Sequence, residues 1–173
     1  NEYGVYARIY DADGDRVGTE FQVNTYTNYS QWHPSITTLN DGGFVITYQS
    51  EEYRDIEIYA QIYDATGNRV GAEFQVNTSN GEQLRPSITA LNDGGFVITW
   101  NSGNAQMYGA DGNPYGVEWH AIKSFHWDAP DITTLDDGGF AITGHYLGDV
   151  YAQIYDADGN RVGTEFQVNA YTA

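Results

Sequence analysis

Two kinds of residue in this chain could carry chemistry: oxygen-rich turns and clustered aromatic rings. Asp11, Asp13 and Asp15 place three carboxylates at alternate positions, and Asp156, Asp158 and Asn160 repeat the arrangement with an amide in the third place. That spacing lets a short loop fold its oxygens around Ca²⁺, so both turns are candidate calcium sites. A metal-free reading competes. Asp accepts hydrogen bonds from nearby backbone amides and Gly supplies positive φ, which is what a tight hairpin turn needs. The EF-hand pattern is not met, since glycine stands at the fourth place, the bidentate glutamate is missing, and the intervening copy reads Asp64, Thr66, Asn68. The Asp-Gly-Gly segments at Asp41, Asp93 and Asp137 are turn-formers on the same grounds.

The rings offer a different chemistry. Trp32 and His33, near Tyr26 and Tyr29, fall outside the strand-like alternation described below, as do Trp119, His120, Phe125, His126 and Trp127. Flat apolar faces beside Asn, Gln, Asp and His suit a sugar, whose C–H groups lie on the ring and whose hydroxyls find the polar atoms. Trp32, His33, Trp119, His126 and Trp127 are therefore candidate carbohydrate contacts, and array positions that break their own repeat are where binding can override uniform packing. The competing use of such rings is to fill interfaces between sheets. Alignment of Trp119 with Phe21, Phe74 and Phe166 favours that use for Trp119.

Catalytic signatures are missing from the linear sequence. There is no cysteine, no Gly-x-Ser-x-Gly elbow, no phosphate loop and no His-Glu-x-x-His, and the four histidines are scattered. Acids repeated in every unit read as turn chemistry more readily than as one active site, so the expectation is a binding module that is not an enzyme. With 24 acidic and 7 basic residues the formal charge is −17, which disfavours nucleic acid and anionic lipid as partners and favours cations. No apolar run approaches the ~18 residues of a membrane helix, so membrane insertion is not expected. The opening Asn-Glu-Tyr-Gly has no initiator Met and no leader-like region, as expected of a mature or excised piece.

These residues are positioned by an array. Tyr10 to Asn24 recurs nearly word for word at Tyr63 to Asn77 and Tyr155 to Asn169, with a worn copy at Tyr108 to Glu118. Before each copy, Tyr/Asn and Arg/Gln alternate with Ala and Ile/Met, which is strand periodicity, and the alanine kept at one place predicts a closely approaching neighbour sheet. A second hairpin runs from Pro34, Pro86 and Pro130 through Asp-Gly-Gly into Phe-Val/Ala-Ile-Thr. The order is a half unit at residues 3–24, then four-stranded units at 34–77, 86–129 and 130–173, forming one all-β domain of about fourteen strands without a helix. Four-stranded antiparallel units in series fit a β-propeller best, with a β-trefoil or β-solenoid as alternatives. The opening hairpin lacks its partner hairpin, and an unpaired edge predicts self-association, as a closed two-chain particle or a head-to-tail fibre.

The unit PSITxLNDGGFVITW followed by YAQIYDADGNRVGTEFQVNTYT resembles the roughly 50-residue tandem repeats of very large secreted or surface proteins of marine bacteria, found in company with RTX-type calcium-binding segments. The resemblance implies an extracellular, non-catalytic binding or adhesion module whose partner is a carbohydrate or cell-surface component. The alternative from another class is a structural subunit of a surface assembly. No site residues come from the resemblance.

Overall fold

The computed structural model describes residues 3–52, 55–122 and 130–170. Its described residues form fourteen strands in four antiparallel sheets. The first sheet is a hairpin of β1 (Tyr6–Tyr10) and β2 (Arg16–Gln22). The second is a meander of β3 (Gln31–Thr38), β4 (Phe44–Glu52), β5 (Asp55–Tyr63) and β6 (Arg69–Gln75). A third follows with β7 (Ser87–Ala90), β8 (Phe96–Trp100), β9 (Asn104–Tyr108) and β10 (Pro114–His120), and a fourth with β11 (Asp131–Thr134), β12 (Phe140–Tyr146), β13 (Asp149–Tyr155) and β14 (Arg161–Gln167). One 3₁₀ turn, Asn101–Gly103, joins β8 to β9.

Each meander is closed on itself. No ladder links one sheet to the next among the described residues, as a solenoid would require; instead the first strands lie side by side, β3 against β7 and β7 against β11. Sheets that stack face to face with their first strands innermost are propeller blades, and the all-β, four-stranded expectation holds.

The cores lie between sheets, not within one. Alternate residues of β4 and β5 point opposite ways: Ile46, Tyr48 and Tyr63 pack on Val5 and Val23 of the opening hairpin, while Val45, Ile58, Ala60 and Ile62 pack on Ile88, Phe96, Ile98 and Trp100 of the next sheet. A third interface joins Val97, Ala105 and Met107 to Ile132, Phe140 and Ile142. At each interface a phenylalanine stacks on a tyrosine across the middle strands, with centroids 5.0 Å apart in Phe44–Tyr63, 5.2 Å in Phe96–Tyr108 and 4.9 Å in Phe140–Tyr155. Ala60 and Ala105 are fully buried, as the recurring alanine predicts. Ile62 and Met107 are buried as well, whereas Ile9 and Ile154 are half-exposed.

Two local features set the strand geometry. The last strand of every sheet carries a bulge, at Gly18, Gly71, Gly116 and Gly163, with φ of 70°, 70°, 73° and 71°; left-handed backbone there explains the invariant Val/Tyr-Gly pair, since a side chain would be strained. The buried Gln61, Gln106 and Gln153 brace it, each donating from Nε2 to the carbonyl of the following residue at 2.9 Å. Pro34 departs from expectation. It lies inside β3, at a register break between Trp32 and Ser35, not at the strand's start, and the break tolerates its missing N–H.

The third unit is worn for a steric reason. Elsewhere an asparagine ending the last strand caps the sheet: Asn24, Asn77 and Asn169 Oδ1 accept from the amides of Val5, Ile58 and Val150. In the third sheet Ile122 takes the asparagine's place, and Gly103, where Val5, Ile58 and Val150 stand elsewhere, accepts at its carbonyl from both Ala121 and Ile122. A Cβ on Gly103 would fall 2.5 Å from the Ile122 carbonyl oxygen. Uniform packing predicts that Phe96→Ala costs about 3–5 kcal/mol in denaturant unfolding, while Val117→Ala on the exposed strand β10 costs less than about 0.5 kcal/mol.

Candidate functional site

Strand alternation divides the molecule into two ends. The Asp- and Gly-containing turns of the repeat lie at one end, where Asn40 Nδ2 donates to the Asn92 carbonyl at 3.0 Å and ties neighbouring sheets. Connections between sheets, and from second to third strands, lie at the other.

At the turn end the leading aspartate of each turn is directed inward. Asp11 Oδ1 accepts from the amides of Asp13 (3.1 Å) and Asp15 (2.9 Å), and Asp156 Oδ1 from those of Asp158 (3.1 Å) and Asn160 (2.8 Å). Asn160 Nδ2 also donates to Asp156 Oδ2 at 3.1 Å. These are turn-capping bonds made by the leading aspartate of each turn. Among the described residues no three His, Asp or Glu side chains are grouped to hold a metal ion. Asp64 shows the electrostatic consequence: the Thr66 hydroxyl, then the Asn68 amide, hold its carboxyl down to about 2. Asp111 and Asp156 are lowered in the same direction, chiefly by backbone bonds from Asn113 and Asn160.

The open end holds the aromatic candidates. Trp32 is half-buried and His33 exposed, and with Tyr3, Ser30 and Glu51 they line a cleft of about 500 Å³. A buried polar network builds its walls. The Gln31 amide donates to the Tyr3 carbonyl at 2.8 Å, Asn24 Nδ2 donates to Gln31 Oε1 at 2.9 Å, and Gln31 Nε2 donates to the Asn28 carbonyl at 3.1 Å. The Glu51 amide donates to the Ser30 carbonyl at 2.9 Å. Loop 24–31, the first strand β1's approach and the end of β4 are thus held as one unit.

His33 also borders a second cleft, of about 380 Å³, lined by Pro34, Ser35, Arg85, Pro86, Ser87 and Pro130 where the innermost strands begin. Its two non-glycine residues at equivalent places, His33 and Arg85, have φ of 52° and 53° and each precedes a proline. Left-handed backbone is uncommon outside glycine, and such strain gathers at binding sites. Buried Gln49 holds the second in place, its Oε1 accepting from the Arg85 amide at 2.9 Å. Ser87 Oγ donates to Asp131 Oδ1 at 3.1 Å, and Asp131 itself lines a neighbouring hollow with Ile132, Thr133, Ala141 and Thr143.

Of the predicted carbohydrate contacts, Trp32 and His33 come together. Trp119 lies elsewhere, in the interface between the third and fourth sheets, edge-on to Tyr155 at 6.1 Å. His126 and Trp127 lie outside the described residues. Sequence reading missed Tyr3, Ser30, Glu51, Arg85, Ser87 and Asp131. Two signals pointed to Arg85 and Asp131: large polar residues before Pro34 and Pro86, and the Asp that replaces Ser in Pro130-Asp131-Ile132-Thr133.

No family model matches the chain, and no curated protein matches it. Among solved structures it is similar to the Penicillium chrysogenum α-L-arabinanase complexed with arabinobiose, at 19% identity and a TM-score of 0.58 over 81% of this chain. The chain spans 46% of that protein's length. The likeness is one of fold. It overturns the expectation of a module that is not an enzyme, whether binding, adhesive or structural: a sugar-cleaving enzyme is built on this arrangement of sheets, and site residues gathered from separate strands leave no linear motif to be found.

The turn-end electrostatics carry a pH signature. Carboxylates held below their unfolded values stabilise the fold above about pH 4 and lose that contribution as pH falls toward about 2. Thermal melts should therefore weaken across that window, and Asp64→Ala should lower the melting temperature at neutral pH while flattening the acid limb. An unchanged acid limb in the variant would contradict the assignment.

Proposed function

We propose that the chain acts on carbohydrate at the open end of its sheets, as a glycan-binding groove equipped for hydrolysis of a glycosidic bond. The observation that carries this reading is the pair of clefts joined at His33, which set aromatic faces, hydroxyl-binding groups and the Glu51 carboxylate along one surface, with Asp131 tied to the second cleft through Ser87. Trp32 and Tyr3 offer the apolar platform for a sugar's C–H face. Ser30, His33, Ser35, Arg85 and Ser87 supply donors and acceptors for its hydroxyls. Glu51 and Asp131 supply the carboxyl pair that hydrolysis requires, one group to protonate the leaving oxygen and the other to serve as base or nucleophile. Asp131 is oriented for this by the Ser87 hydroxyl and by the Ile132 amide, which donates to Oδ1 at 3.0 Å. The arabinobiose complex of the structurally similar enzyme supports pentose oligosaccharides as the first substrates to try.

The test is release of reducing ends from arabino-oligosaccharides and a wider glycan panel, with binding followed by calorimetry. Trp32→Ala should weaken binding about tenfold, as loss of one aromatic stack would. Glu51→Gln and Asp131→Asn should each lower kcat by about 10²–10⁴ with binding retained. Full turnover in both carboxamide variants, or neither binding nor cleavage across the panel, would overturn the proposal.

A further inference from the structure

We propose that the chain associates head to tail with a second copy of itself, by repeating between chains the junction that joins its own sheets. This inference is independent of the carbohydrate reading. Three such junctions exist within the chain, and four contacts recur in them.

The ring of the last strand meets the tyrosine ending the next sheet's third strand, with centroids 5.2 Å apart in Phe21–Tyr63, 5.4 Å in Phe74–Tyr108 and 6.1 Å in Trp119–Tyr155. An aliphatic side chain fills the space above a turn glycine of the next sheet, Ile9 over Gly67, Ile62 over Gly112 and Met107 over Gly159, leaving no room for a Cβ. An arginine reaches back to carbonyls of the preceding last strand: Arg69 to Gln22 (3.2 Å) and Val23 (2.8 Å), Arg161 to His120 (3.1 Å) and Ala121 (3.0 Å). Pro114 replaces that arginine in the third sheet, where Tyr108 Oη still donates to the Val76 carbonyl at 3.0 Å, as Tyr155 Oη does to the Ala121 carbonyl beside Arg161. Finally, a glutamate accepts from the amide and hydroxyl of a preceding threonine, Glu73 from Thr25 at 2.8 and 2.9 Å and Glu118 from Thr78 at 2.9 Å each.

Both ends of the chain present the unfilled half of this pattern. On the fourth sheet Phe166 is 48% exposed, flanked by Val162, Val168 and half-exposed Ile154, and Ala170 follows Asn169 as Thr25 follows Asn24. On the opening hairpin Tyr10 is 56% exposed beside Tyr6, Gly14 has nothing within 4 Å of a built Cβ, and Arg16 and Glu20 stand where Arg69 and Glu73 stand one unit later. The match is member by member: Phe166 to Tyr10, Ile154 to Gly14, the carbonyls of Gln167 and Val168 to Arg16, and the Ala170 amide to Glu20. Glu20 now pairs with Arg8 at 3.6 Å, an exposed contact worth little and readily exchanged. Within the chain the two surfaces do not meet, since the rings on both stay exposed. A contact between two different surfaces is heterologous, so it closes into a ring or propagates as a fibre.

Sedimentation of the purified chain across the micromolar range tests this. A concentration-dependent mass above the monomer is expected, rising with salt as the charge of −17 per chain is screened. Phe166→Ser and Tyr10→Ser, with circular dichroism as a check on folding, should each raise the dissociation constant about tenfold or more. Mixed together, the two variants should form 1:1 dimers and nothing larger, because one keeps only a working head and the other only a working tail. A strictly monomeric mass, association untouched by either substitution, or a mixture that stays monomeric would overturn the proposal.

Discussion

The structure depends on one contact, the packing of a sheet's face on its neighbour through stacked Phe and Tyr rings over a buried alanine. A single four-stranded meander has two apolar faces and no interior, so it cannot bury either face alone. Stacking solves this for both faces at once. The same requirement explains why Tyr63, Tyr108 and Tyr155 touch a ring of their own sheet and a ring of the sheet before, and why polar bonds from Arg69, Arg161, Glu73 and Glu118 fall at the margins of each interface. The same kind of side chain, Tyr6 and Tyr10 on the opening hairpin and Phe166 on the fourth sheet, is exposed on the outer faces.

Rigid stacking releases the open end for chemistry. Turns at the other end are short and self-satisfied, their aspartates spent on their own amides. At the open end the connections between sheets are longer and less alike, and buried Gln31 and Gln49 replace turn geometry as the means of fixing the backbone. Strain at His33 and Arg85 is tolerated because the strands beneath them are held on both sides. This is a division of labour between scaffold and surface that leaves the residues of interest unlike one another.

That division decides what can be read from the amino-acid sequence. Period-two alternation, the recurring alanine and the Asp-Gly-Gly turns were legible because packing forces every unit to repeat them. Trp32 and His33 were legible because they break the pattern in residue type. Glu51 was not: it is an acid at the end of an ordinary strand, and only the fold brings it beside Tyr3, which precedes it by nearly a whole unit. Asp131 is a one-residue change in a repeated tetrapeptide, and its partner Ser87 comes from another sheet. Trp119 misleads in the opposite sense, since a large ring at a packing position carries the same local signal as one at a surface. Catalysis was set aside for want of a linear motif, which carries no weight when the groups come from separate sheets.

The most direct measurement is a crystal structure of the chain soaked with arabinobiose. The account expects a sugar ring stacked on Trp32, its hydroxyls within hydrogen-bond distance of His33 or Ser87, and a glycosidic oxygen between Glu51 and Asp131. A saturating soak that leaves this groove empty, or places the sugar among the aspartate turns at the opposite end, would contradict it.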